Sequence, residues 1–194
     1  YRLSSLTATS FNAFFKHLHQ VSDRSLESAI LAEVFMATIK EPFYDTLRTK
    51  KQLGYTVFCS NRVEEGVSMM HFVIQSPERS PAYLTERCLE CLREFRQQLV
   101  DMTSSKVSAY IQGLVSRILE PDRSLLSEAS RNWNEITTGQ LDFDRRRQEV
   151  EALQKIDGET LLQFFDRHIT EGGNERRVLT SEVYANKFAS DMDL

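Results

Sequence analysis

The sequence predicts an α+β fold, a two-layer α/β sandwich in which a mainly antiparallel sheet is covered by helices. Two β-rich runs, YTVFCSNRV and VSMMHFVIQS, flank the short Glu64-Glu65-Gly66 turn and read as a hairpin. One further strand pattern lies near each end of the chain, and the segment between the hairpin and the last strand is helical in its periodicity. With 194 residues, 41% of them hydrophobic, the chain can build one sizeable core. A single domain spanning residues 1–194 is the expectation.

Taken in order, Phe11 to Val21 interleaves aromatic and polar residues and fits the first strand. A helix follows, with Ser22 and Asp23 as N-cap candidates. Its rows Leu26, Ile30, Val34 and Leu31, Phe35, Ile39 give it a broad apolar face that belongs in the core. Proline interrupts a helix but suits the first turn of a new one, so a second helix is expected from about Pro42 to Gln52, stopped by Gly54. The hairpin comes next, closed by Pro77 and Pro81. Helical patterns then cover about 82–102, 104–119, 122–138, 142–154 and 157–169. A turn at Glu171-Gly172-Gly173-Asn174 precedes the last strand, Arg177 to Ala185, and the tail after Lys187 is short and acidic. This arrangement has four strands.

The charge balance, 24 basic against 28 acidic residues for a net −4, offers no basic field to reward phosphates, which argues against nucleic acid and anionic membrane as partners. No apolar run approaches the roughly 20 residues that span a bilayer. Three cysteines, an odd count without an N-x-S/T sequon, suit a reducing compartment and a cytoplasmic location. A start at Tyr1, without an initiator methionine, is expected of a piece of a longer polypeptide.

Most candidate chemistry has a plainer explanation. Cys88 and Cys91 have C-x-x-C spacing, but they fall inside the helical apolar row Leu84, Cys88, Cys91, Leu92, Phe95, Leu99 and read as packing. His17 and His19 point the same way on a strand, yet two ligands make no metal site, and His71 and His168 are isolated. There is no P-loop, G-x-G-x-x-G, G-x-S-x-G, H-E-x-x-H or H-x-x-E-H. No metal is assigned to this chain.

The stretch EPFYDTLRTKKQLGYTVF, residues 41–58, is different. On a helix beginning near Pro42, Tyr44 and Arg48 are i, i+4 neighbours while Phe43 and Leu47 can pack inward. Tyr55 opens the hairpin close to the helix end. A guanidinium and a phenol so placed can hold a peptide carbonyl or steady an oxyanion. Neither gives up its proton readily at neutral pH, so the pair can assist hydrolysis but cannot activate water. Periodicity alone leaves a second reading open, in which Arg48, Lys50 and Lys51 form a solvated helix face.

FYDTLRTKKQLGYTVF, followed by MMHFVIQS, resembles the C-terminal domain of the insulin-degrading enzyme and pitrilysin family of zinc metallopeptidases, with its distinctive L-R-T-K-x-Q-L-G-Y motif. SDRSLESA, Arg131-Asn132-Trp133-Asn134-Glu135-Ile136 and Phe143-Asp144-Arg145 have counterparts in order, so the resemblance covers roughly residues 20–185. It implies the fold shared with mitochondrial processing peptidases and a non-zinc-binding domain inside an enclosed chamber. Zinc would be bound by H-x-x-E-H in another domain of the parent enzyme, where it polarises the carbonyl and activates water. Arg48 and Tyr55 match the family residues that reach the cleft, giving them catalytic and substrate-binding roles. Tyr44 falls where the family tends to have a cleft-lining phenylalanine. The implied partners are the N-terminal catalytic domains of the same polypeptide and peptide substrates, with a homodimer left open. The isolated chain is expected to hydrolyse nothing. A basic cluster that insulin-degrading enzymes carry is replaced here by Ile118-Leu119-Glu120-Pro121-Asp122-Arg123-Ser124, which argues against polyanion binding at that place. A scaffold subunit of the same fold is the alternative, disfavoured by the retained R-T-K-K-Q-L-G-Y stretch.

Overall fold

A computed structural model describes the chain except residues 6–10, 24, 65–66 and 194 and the side chains of 22, 23, 64 and 193. Its sheet has the order β1-β5-β2-β4-β3, built from β1 (Arg2–Ser4), β2 (Ala13–Asp23), β3 (Thr56–Glu64), β4 (Val67–Ser76) and β5 (Arg177–Tyr184). All neighbours are antiparallel except β1, which pairs parallel with β5 through Arg2↔Glu182 to Ser4↔Tyr184. The helices are α1 (Leu26–Tyr44), α2 (Pro81–Val100), α3 (Ser104–Ile118), α4 (Leu125–Thr137), α5 (Arg145–Leu153) and α6 (Gly158–His168), and a 3-10 segment, Asn186–Asp193, ends the described chain. The predicted α+β sandwich is therefore present, with one strand more than the four expected. β1 is too short to show a period in the sequence.

Alternation along the strands decides which face is covered. Phe15, His17, His19 and Val21 of β2, Met70, Phe72 and Ile74 of β4, and Val57 and Cys59 of β3 are buried. They meet Ile30, Val34, Phe35, Ile39 and Phe43 of α1 and the apolar row Leu84, Cys88, Cys91, Leu92, Phe95, Leu99 of α2. Phe35 packs against Phe95, Phe164 and Phe165, and Phe43 against Phe72, tying helices to one another and to the sheet. Cys88 and Cys91 are core side chains, as their spacing in a helical row predicts. Burial pushes the Cys91 thiol up to about 12 and drives that of Cys88 well upward.

One buried carboxylate pins three elements. Glu182 of β5 accepts hydrogen bonds from Thr85 Oγ1 of α2 at 2.7 Å and from the Tyr184 hydroxyl at 3.1 Å, and pairs with Arg2 of β1 at 3.3 Å. A buried charge so satisfied fixes the register of the sheet edge.

Three local expectations are corrected. Ser22 and Asp23 remain in β2, which carries an irregularity between Gln20 and Ser22, and the cap of α1 is Ser25, whose hydroxyl accepts from the Ser28 N–H. The helix does not restart at Pro42. It runs through the proline to Tyr44 and passes into a π-helical segment, Asp45–Lys50. Gly54 is not the left-handed stop, because that backbone conformation falls on Gln52 with φ 49°. Gly54 is required for another reason: a Cβ there would lie 1.9 Å from the Gln75 carbonyl oxygen of β4. The hairpin forms as predicted, but Glu65 and Gly66 of its turn lie outside the described residues.

Candidate active-site wall

The candidate residues sit where α1 hands over to the sheet. Phe43 and Leu47 are fully buried, so the inner side of this junction is anchored in the core. Pro42 has no N–H to return to the Thr38 carbonyl. The Asp45 N–H bonds to both Glu41 and Pro42 carbonyls, and the ladder then lengthens, with Lys51 N–H reaching Thr46 O at 2.9 Å and Leu53 N–H reaching Leu47 O at 3.0 Å. Widened turns of this kind are frequent at functional sites, because they re-aim side chains without ending the helix.

The chain then turns at Gln52, slides Gly54 past Gln75, and delivers Tyr55 to the start of β3. As a result the Arg48 guanidinium lies over the Tyr55 ring, 5.6 Å from its centroid. Tyr55 is 86% exposed. Arg48 is partly covered, and its Nε is buried with no hydrogen-bond partner among the described residues. Tyr44 stands on the α-helical side of the junction, 49% exposed. The fold thus brings Arg48 and Tyr55 into direct contact, while the aromatic partner of the guanidinium is Tyr55 and not the i, i−4 neighbour Tyr44.

Lys50 and Lys51 have separate fates. Lys50 pairs with Asp45 within the π-helical segment at 2.7 Å, and this hydrogen bond raises the pKa of the exposed ammonium. Lys51 is not a solvated surface charge. It donates to Glu90 of α2, which also receives Arg87 at 2.9 Å, and the hydrogen bond from Lys51 is the leading cause that lowers the Glu90 pKa. These contacts fasten the π-helical segment to α2. Sequence reasoning missed Glu90 and Arg87, whose i, i+3 spacing was visible but whose target on another helix was not.

The histidines lie elsewhere. His17 and His19 are buried in β2, facing the helices, with rings in edge contact at 4.7 Å between centroids. His17 Nδ1 meets Thr180 Oγ1 at 2.8 Å and His19 Nδ1 meets the His168 carbonyl at 3.1 Å. Burial, the main cause in both, pushes His17 down to about 4 and His19 down to about 3. Among the described residues no three His, Cys, Asp or Glu side chains are grouped to hold a metal ion. A cavity of about 300 Å³ lined by Ser25, Leu26, Gln140, Arg145 and Gln148 opens beside the start of α1, and Tyr44, Arg48 and Tyr55 take no part in it. Tyr44 and Tyr55 leave the candidate site open to solvent.

Residues 34–133 match the family model described as PQQ synthase PqqF-like, C-terminal lobe domain 4. The chain is 33% identical over 172 residues to the insulin-degrading enzyme of Homo sapiens, covering 89% of this chain and 17% of that protein. It is 29% identical over 181 residues to insulin-degrading enzyme-like 1, peroxisomal, of Arabidopsis thaliana, covering 93% of this chain and 19% of that protein. The chain therefore spans less than a fifth of the length of these curated relatives. In fold it is similar to the crystal structure of pitrilysin, with a TM-score of 0.80 at 20% identity, over 95% of this chain and 19% of that one. No helix among the described residues is long and apolar enough to cross a membrane.

Proposed function

Because this chain belongs to the PqqF-like C-terminal lobe domain family, and is a C-terminal domain of an insulin-degrading enzyme and pitrilysin type of metallopeptidase, we propose that it forms the non-catalytic wall of a chamber in which peptides are cleaved. Residues 1–194 act as one domain of the parent enzyme. Any zinc belongs to another part of that polypeptide.

The stack of Arg48 on Tyr55 is the observation that carries this reading. The guanidinium is held at fixed height by an aromatic face and by a π-helical segment bound to α2. It donates N–H groups to a carbonyl of the bound peptide. The exposed Tyr55 hydroxyl donates to the oxygen that gains charge when the scissile carbonyl is attacked, an interaction stronger in the transition state than in the ground state. Tyr44 lines the approach to that position. Attack itself needs a base and an electrophile from the opposite wall, which is why the isolated chain is inert. The exposure of Tyr55 supports this half-site reading, since its hydroxyl is free to meet a substrate held from the opposite side. Three free, buried cysteines suit work in a reducing compartment such as the cytoplasm.

A scaffold subunit of the same fold has no use for a guanidinium held over a phenol. The deciding experiment is peptide turnover by the parent enzyme carrying Arg48→Ala or Tyr55→Phe, with metal content measured alongside. Lowered turnover at unchanged metal content supports the wall; unchanged turnover in both variants rejects it in favour of the scaffold.

A further inference from the structure

A second arginine-on-tyrosine stack stands at the same corner of the fold. Arg79, Tyr83 and Arg87 follow one another at four-residue steps across the start of α2, and both guanidiniums lie over the Tyr83 ring, 5.1 Å and 5.3 Å from its centroid. Arg87 is already engaged, with Glu86 at 2.6 Å and Glu90 at 2.9 Å. Glu78, next to Arg79 in sequence, pairs with Lys187 at 3.7 Å. Among the described residues no carboxylate pairs with the exposed Arg79. A guanidinium lying on an aromatic face keeps its in-plane N–H groups at its edge, where they can fork a carboxylate.

Position ties this stack to the candidate site. Ser76 Oγ accepts the Arg79 N–H at 3.1 Å, and the Cα of Ser76 lies 3.2 Å from where a Cβ on Gly54 would stand. The Arg79 backbone is therefore within roughly 10 Å of Gly54, the residue before Tyr55. Glu90, which takes Arg87, also takes Lys51, the residue that caps the segment carrying Arg48. Both stacks are thus mounted on one frame, and an extended peptide covers their separation in about three residues.

We propose that Arg79, held on Tyr83, is the subsite for a carboxylate of the bound peptide, about two to five residues from the scissile bond. The parent enzyme then favours peptides that are acidic at that position. This inference rests on the reading of the chain as one wall of the cleavage chamber, and it names a substrate class for that wall. Arg79 sets specificity and does not touch the reacting carbonyl. An exposed ion pair adds little to binding, so the preference is modest, about 3- to 5-fold in kcat/KM, and is carried by KM.

The test measures kcat and KM of the parent enzyme on matched peptides that carry Gln or Glu at one position on either side of the cleaved bond, each also made with an amidated C-terminus. In the wild type, an acidic group at one of these places is expected to raise kcat/KM about 3- to 5-fold over its neutral counterpart. Arg79→Ala should abolish this ratio and Arg79→Glu should invert it, through KM and with the melting temperature unmoved, while Arg79→Lys retains part of it. A gain lost on amidation assigns the carboxylate to the peptide terminus, and one lost on replacing Glu by Gln assigns it to a side chain; both support the subsite. The same ratio in wild type and Arg79→Glu, or no acidic preference in the wild type, would overturn it. Arg48→Ala, run alongside, separates the two readings. Equal loss of turnover on acidic and neutral peptides supports the wall, whereas an unchanged ratio in Arg79→Glu rejects the subsite alone.

Discussion

The carbonyl oxygen of Gln75 occupies the space that a side chain on Gly54 would need, 1.9 Å from the position of its Cβ. Backbone of β4 cannot retreat from this contact without breaking its pairing with β2 and β3, because Gln75 is in register with both Phe14 and Thr56. Gly54→Ala is therefore expected to destabilise the fold by about 3 kcal/mol and to displace Tyr55, the next residue. Denaturant unfolding measures it, and a loss within the range of ordinary surface substitutions would show that the approach is looser than described.

His17 and His19 predict acid sensitivity. Both are buried neutral, with pKa values pushed down to about 4 and about 3 from an ordinary 6.5, while the unfolded chain takes up protons at the ordinary value. Their contribution to stability is complete above pH 6.5 and is lost as pH falls toward 4 for His17 and 3 for His19. For His17 the full loss amounts to roughly 3 kcal/mol. Replacing His19 by Phe should flatten the fall in unfolding free energy between pH 6.5 and 4 relative to wild type; equal slopes in the two proteins would contradict this.

The three cysteines predict inertness. Cys59, Cys88 and Cys91 are buried and free, and burial raises each thiol pKa, so little thiolate forms near neutral pH. A chromogenic disulfide reagent should label no cysteine in the native chain and all of them after unfolding. Rapid native labelling at Cys88 or Cys91 would reopen the redox reading of C-x-x-C.

Glu90 predicts a positioning effect. Its carboxylate receives Lys51, the residue that caps the π-helical segment, and Arg87 from its own helix, so Glu90→Gln removes the charge that fastens the end of the segment carrying Arg48. In the parent enzyme, peptide turnover should fall about 3- to 10-fold through kcat, with the melting temperature nearly unchanged. A fall in melting temperature that accounts for the lost activity would make Glu90 merely structural.

Much of this was legible in the sequence, and the failures share a cause. The hairpin, the C-x-x-C packing row and the helix expected from about residue 82 follow from local period, and the structure has them. What could not be read were features set by contacts distant in the chain. Pro42 looks like a helix start, but burial of Phe43 and Leu47 on the same core surface as Ile39 holds one continuous helix across it. Gly54 looks like a helix stop, but the constraint on it comes from Gln75, twenty-one residues on. Lys51 looks solvated until Glu90 is brought against it. Around the candidate site, the motif named Arg48 and Tyr55; only the fold revealed that they stack and that Tyr44 stands apart.

The central claim is that Arg48 and Tyr55 act as one unit on the substrate of the parent enzyme. A double-mutant cycle in kcat/KM with Arg48→Ala and Tyr55→Phe tests it most directly. Each single change is expected to lower kcat/KM about 10- to 100-fold at unchanged metal content, with the double variant little worse than the weaker single. Wild-type kcat/KM in both single variants would contradict the account.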